Sequence, residues 1–195
     1  MRLYPPANRV RLIGVVGLLA AASVGVAVLA GLSPRDRLAR AILGRHFDRG
    51  QVAVRIEKSK YRLTLVYRGR PVRAYPVVFG RNPVDDKLRE GDGCTPEGVF
   101  HVVRLYPHRL WRRFLLLDYP TADTWRKHRE VERRHRIRTG AALGGAIGIH
   151  GVPEGKDAWI ADRRNWTLGC ISMRNADVEQ VYAVCRKGTV VTIVH

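Results

Sequence analysis

From residue 51 onward the chain alternates apolar and polar positions with a period of two, as in Val52-Ala53-Val54-Arg55-Ile56 and again in Tyr61-Arg62-Leu63-Thr64-Leu65-Val66-Tyr67. Successive side chains on a strand point to opposite faces, so this pattern predicts half-buried β-strands. Arg68-Gly69-Arg70 is a turn, and a third strand runs over residues 72–79, which opens a β-meander. Residues 80–98 carry Gly80, Gly91, Gly93 and Gly98 with Pro83 and Pro96, too many breakers for regular structure, and form a loop. Strands resume at residues 99–103 and 114–119, separated by a short excursion crowded with Arg104, His108, Arg109, Arg112 and Arg113. Residues 124–138 read as a helix with seven Lys or Arg against two Glu, a solvated basic face. Ile147-Gly148-Ile149-His150 is a short strand, Asn175-Ala176-Asp177 caps a helix over 178–187, and residues 189–194 close the chain as a strand. The fold class expected is mainly β with peripheral helices.

The N-terminal part follows a different pattern. Residues 12–32 hold no charge, follow Arg2, Arg9 and Arg11, and as a helix rising about 1.5 Å per residue would cross the ~30 Å hydrocarbon core. An uncleaved anchor is favoured over a cleaved signal peptide, since the run exceeds the ~7–15 residues of a signal's apolar region. Four segments result: a basic N-terminus (1–11), a transmembrane anchor or signal (12–32), a basic stalk (33–50) and one domain (51–195). In the stalk, Ser33 caps and Pro34 begins a helix with Leu38, Ile42 and Leu43 on one side. With the short N-terminus inside, the domain lies outside the cytoplasmic membrane.

The formal net charge of +18 makes the surface attractive to polyanions. No nucleic-acid-binding module is present and nucleic acid is not expected as a partner. Anionic lipid of a bacterial inner membrane, or an acidic wall polymer, suits a tethered protein better. The seven histidines and three cysteines show no HExxH or paired CxxC spacing, and no Walker-type loop occurs, so neither metal nor other cofactor is expected. Three cysteines leave at least one thiol free. Cys185 lies in an apolar run and reads as core packing, while Cys94 lies in the glycine-rich loop.

Cys170 is the candidate nucleophile. A free thiol of pKa ~8.5 is mostly protonated at neutral pH and needs a base, and His150, at a strand end before the turn that Gly151 permits, supplies one. Gly169 before Cys170 allows a tight backbone, so the amides of Leu168, Gly169 and Cys170 are candidate oxyanion donors.

Histidine, a spacer, then Trp166-Thr167-Leu168-Gly169-Cys170, together with the upstream loop from Gly80-Arg81-Asn82-Pro83 to Thr95-Pro96-Glu97-Gly98, resembles the L,D-transpeptidase catalytic domain (YkuD) family over residues 52–194. The resemblance implies a β-sandwich-like fold and a reaction on peptidoglycan stem peptides through an acyl-thioester. It assigns Cys170 as nucleophile, His150 as general base and the Gly151 carbonyl as the group orienting the imidazole. Arg81, Asn82 and Lys87 in the loop, with Trp166 and Thr167, are expected on the substrate side. Where the family often has His before the Gly, this chain has Leu168, and where it often has Arg two after the Cys, it has Ser172. Arg174 is expected to replace that arginine if residues 171–174 stay extended, since positions two apart share a face. Trp166-Thr167 before Leu168-Gly169-Cys170 resembles the branch that includes lipoprotein-releasing members, so transfer to an amine and hydrolysis both remain open, and so does a non-catalytic wall-binding module.

Overall fold

The structure, a computed structural model, describes residues 32–195. The predicted span over residues 12–32 and the basic segment before it lie outside the described residues, apart from Leu32 itself. Among the described residues no helix is long and apolar enough to cross a membrane. The chain divides into two units, of which residues 38–195, all described, are the second and a compact one. In the stalk, helix α1 (Pro34–Leu43) is capped as expected, with the Ser33 hydroxyl accepting from the Asp36 amide at 3.1 Å.

The second unit is built on eight strands: β1 (Val52–Glu57), β2 (Arg62–Tyr67), β3 (Arg70–Val78), β4 (Gly98–His108), β5 (Arg112–Leu117), β6 (Gly148–His150), β7 (Ile171–Met173) and β8 (Val190–Val194). They close into a barrel in the order β1-β2-β3-β7-β6-β5-β4-β8. Neighbours are antiparallel except β1 with β8 and β6 with β7, which are parallel. The sandwich-like expectation is thereby refined. The two long strands β3 and β4 each pair with one set of neighbours near one end and another set near the other, so the two faces become continuous.

The period-two pattern does what it predicts. Val54, Ile56, Leu63 and Leu65 are buried from β1 and β2, and meet Phe100, Leu115, Leu117, Ile149, Ile171, Met173, Val191 and Ile193 in one core. Closing the ring removes exposed strand edges and lets short strands such as β6 and β7 be held on both sides. The excursion read at residues 104–113 is instead regular hairpin, because β4 and β5 run on beyond the core, where alternation of apolar residues is no longer required. Helices α2 (Ala122–Arg133), α3 (Ala158–Ala161) and α4 (Asn175–Val184) lie around the barrel, and α2 ends earlier than the pattern suggested.

The glycine-rich loop 80–98 is pinned by buried charge. Lys58, whose side chain is fully buried at the end of β1, donates to the Val84, Asp85 and Thr95 carbonyls and to Glu97 Oε1 at 2.6–3.3 Å. Lys127 of α2 adds contacts to Asp86 at 2.5 Å and the Glu97 carbonyl at 2.9 Å. Removing one member of such a cluster strands its oxygens without donors. Lys58→Met is expected to cost about 2–3 kcal/mol, discounted because Glu97 keeps some exposure, and to loosen this loop. Urea unfolding measures the first and protease nicking within 80–98 the second; an unchanged midpoint refutes the assignment.

Candidate active site

His150 ends β6, and Cys170 directly precedes β7, the strand paired in parallel with it, so the register Ile149 to Ile171 brings the two residues to adjacent strands of one wall. Both line a cavity of about 500 Å³, whose other walls are Tyr106, His108, Trp111, Phe114, Trp166 and the backbone around Ala146. Twenty positions of sequence are closed into one pocket by a strand pairing.

His150 is buried and held on several sides. Its Nδ1 lies 2.7 Å from the Gly151 carbonyl oxygen. That oxygen can only accept, so Nδ1 carries the proton and Nε2 is left as the basic nitrogen. Trp111 stacks on the ring at 4.4 Å and 22°, Phe114 at 5.5 Å and 12°, and Trp166 meets it edge-on at 5.6 Å. The Gly151 carbonyl also accepts from the Ser172 hydroxyl at 3.3 Å, and the Gly151 amide donates to the Trp111 carbonyl at 3.0 Å. Burial among these rings lowers the imidazole pKa to about 4, against the opposing pull of the Gly151 carbonyl. Burial pushes the Cys170 thiol up to about 11, opposed by a backbone hydrogen bond from Gly148 and by the charge of Lys87. The resting pair at neutral pH is therefore thiol and neutral imidazole.

A pH dependence of stability follows with a definite sign. The folded pKa of His150 is depressed below its unfolded value near 6.5, so the native state disfavours the proton. Its contribution is full above pH 6.5 and is lost as pH falls toward about 4. His150→Gln is expected to flatten this part of the stability curve. Thermal melts from pH 8 to pH 4 measure it, and an unchanged slope in the variant refutes it.

The nucleophile loop is knitted by Thr167. Its hydroxyl accepts from the Gly169 amide at 3.1 Å and donates to the Cys170 carbonyl at 2.7 Å. The Gly169 amide is thus engaged, which corrects its expected place among the oxyanion donors and leaves the amides of Leu168 and Cys170. Gly169 is required for a different reason. Its φ is +139°, and a Cβ there would lie 2.7 Å from the Cys94 carbonyl oxygen. Only a residue without a Cβ takes that conformation at that spacing. Leu168 is exposed at the cavity rim, and Trp166 and Thr167 form its wall.

The other expected substrate residues separate into two groups. Arg81 is exposed beside the nucleophile loop, its amide donating to the Thr167 carbonyl at 3.1 Å. Asn82 instead shapes its own loop, accepting from the Val84 and Asp85 amides. Lys87 does not reach out to substrate: it is buried, with its ammonium on Asp92 at 2.8 Å and on the Arg89 carbonyl. Arg174 does not replace the missing arginine. The chain leaves β7 at Met173 and turns into α4, so alternation stops, and the Arg174 guanidinium pairs with Asp177 at 2.7 Å. Ser172 itself is buried. Cys94 and Cys185 are both buried, and no disulfide joins them.

Residues 51–193 match the L,D-transpeptidase catalytic domain, YkuD. The chain belongs to this family. Its fold is similar to that of Pgp2, the helical cell shape determining protein of Campylobacter jejuni, at 23% identity and a TM-score of 0.54 over 73% of this chain and 46% of Pgp2. It is also similar to Bdellovibrio bacteriovorus Bd1075, at 17% identity and a TM-score of 0.53 over 74% of this chain and 48% of Bd1075. The chain thus spans less than half the length of either. A search of curated protein sequences gives no match.

Sequence reasoning passed over the aromatic wall of the site, Tyr106, His108, Phe114 and above all Trp111. The only signal was an aromatic, Trp111, three positions after His108 in an otherwise charged stretch, and its meaning depends on the hairpin folding back over His150.

Proposed function

We propose that this domain is a cysteine-dependent L,D-transpeptidase acting on peptidoglycan stem peptides through an acyl-thioester on Cys170. The observation that carries the reading is one cavity shared by a thiol and an imidazole whose Nδ1 is fixed by a carbonyl. Cys170 Sγ attacks the carbonyl of the diaminopimelate at position three of a tetrapeptide while His150 Nε2 takes the thiol proton. The tetrahedral oxyanion is held by the Leu168 and Cys170 amides. The C–N bond to the terminal D-alanine breaks, and His150 returns the proton to the leaving amine. In the second half His150 deprotonates the acceptor, an amine for cross-linking or water for hydrolysis, and the thioester C–S bond breaks. The apolar run at residues 12–32 anchors the domain on the outer side of the cytoplasmic membrane, where this substrate lies.

Incubation with disaccharide tetrapeptide followed by mass spectrometry tests the proposal. A peptide dimer selects transfer and a trimmed tripeptide selects hydrolysis, each with an acyl adduct absent from Cys170→Ala. Unchanged peptide without adduct, or an undiminished adduct in Cys170→Ala, overturns it.

A further inference from the structure

A base that takes up a proton becomes a cation, and in this pocket no side chain supplies a counter-charge. The partner of His150 Nδ1 is the Gly151 carbonyl, which fixes the ring and its tautomer but carries no formal charge. Among the described residues no carboxylate lines the cavity: its titratable groups besides His150 are Tyr106 and His108 from the β4–β5 hairpin and Cys170. Burial itself disfavours the charged ring. The imidazolium that forms as Cys170 attacks therefore needs another source of negative potential.

Trp111, at the hairpin tip, is placed to give it. Its indole stacks on the His150 ring at 4.4 Å and 22°. An aromatic face within about 6 Å of a cation attracts it through the negative potential of the π system, and tryptophan does so most strongly. Phe114 stacks at 5.5 Å and 12°, farther off and with a less electron-rich ring. The indole is itself held in place. His108 lies on it at 4.4 Å and 8°, and His108 Nδ1 accepts from the Leu110 amide at 3.2 Å, so that ring is fixed as well. The Trp111 carbonyl accepts from the Gly151 amide at 3.0 Å. The hairpin thus grips the base twice: the backbone of Trp111 holds the residue whose carbonyl orients the imidazole, and its side chain covers the ring that will carry charge.

We propose that Trp111 is a positioning residue acting through His150, its π face stabilising the imidazolium while the thiol proton resides there. The proposal rests on the cysteine and histidine reading above. The indole makes and breaks no bond: the proton passes from Cys170 Sγ to His150 Nε2 and returns to the leaving amine, and the indole lowers the energy of the state between. Because that charge exists only between the two transfers, the effect falls on kcat and not on KM.

Fluorine withdraws electron density from the indole face with little change of shape. Tryptophan carrying no, one, two or three fluorines on its benzene ring, placed at position 111 of the whole chain by stop-codon suppression, tests the proposal in two ways. With Cys170 intact, the rate constant for adduct formation at saturating disaccharide tetrapeptide is expected to fall with each fluorine, by about tenfold over the series, at constant half-saturation. In Cys170→Ala, the His150 imidazole followed by NMR is expected to lose its proton at progressively lower pH, by about one unit over the series. A flat rate across the series, a change in half-saturation alone or an unmoved titration overturns the proposal; the second of these is what a simple substrate wall gives. If even the unfluorinated chain forms no adduct, the enzymatic reading fails, and the titration still decides whether the indole stabilises the charged ring.

Discussion

Replacing His150 by glutamine is expected to lower kcat/KM by roughly 10²–10⁴-fold, the usual worth of a positioned general base, while a folded barrel remains. The reason lies in the resting protonation states. With the thiol at about 11 and the imidazole at about 4, the neutral pair is the ground state, and the proton must move during attack and not before it. A thiol of that pKa is thiolate in only about one molecule in 10⁴ at pH 7, so without a base to take its proton during attack the variant must react through that small fraction. A pH–rate profile alone does not separate this from a preformed thiolate–imidazolium pair, because both states hold one proton between the two groups. Thiolate absorbance does. In the wild type it is expected to emerge only as pH climbs toward about 11, with iodoacetamide alkylation rising in parallel. A thiolate signal at pH 5–7 that disappears in His150→Gln sinks the neutral-pair mechanism.

How much of this was visible in the sequence depends on the range of the interaction that decides each feature. The faces of β1 and β2 were legible because Val54, Ile56, Leu63 and Leu65 recur every second residue within each strand, and burial of one face is a local property of a strand. Cys170 and His150 were legible because glycine, nucleophile and base sit in short, chemically marked segments. Ring closure was not, since the parallel pairing of β1 with β8 joins the two ends of the domain and leaves no local trace. Charged residues were misread for the same reason. Lys87, Arg81 and Arg174 are alike as cations, yet one is buried on Asp92, one is exposed beside the nucleophile loop and one is paired beside α4. A partner brought up by the fold decides whether a cation can serve a ligand, and charge patterning along the chain does not contain it.

Gly80→Ala is expected to be the most damaging of the single-methyl additions at loop glycines, through both stability and rate. A Cβ on Gly80 would lie 1.9 Å from the Gly93 carbonyl oxygen, 2.8 Å from its carbon and 3.1 Å from the Gly169 amide nitrogen. All three are backbone atoms, so no rotamer change relieves the overlap and the two loops must part. One of them carries Arg81 and Cys94 and the other carries the nucleophile, and they are joined at this point by the Gly80–Thr167 bridge and by the Thr167 amide to the Phe79 carbonyl at 3.3 Å. Overpacking of this kind costs roughly 3 kcal/mol, and a shift of about 1 Å in the Cys170 backbone costs about 10²-fold in rate. Gly91→Ala is the matched control. Gly91 has a φ of +77° but nothing within 4 Å of its Cβ position. It therefore bears only the left-handed backbone penalty of about 1 kcal/mol and keeps its activity. Urea unfolding and adduct formation on both variants separate the two. If Gly80→Ala behaves like Gly91→Ala, the close approach of the substrate-side loop to the nucleophile loop is not what holds Cys170 in position.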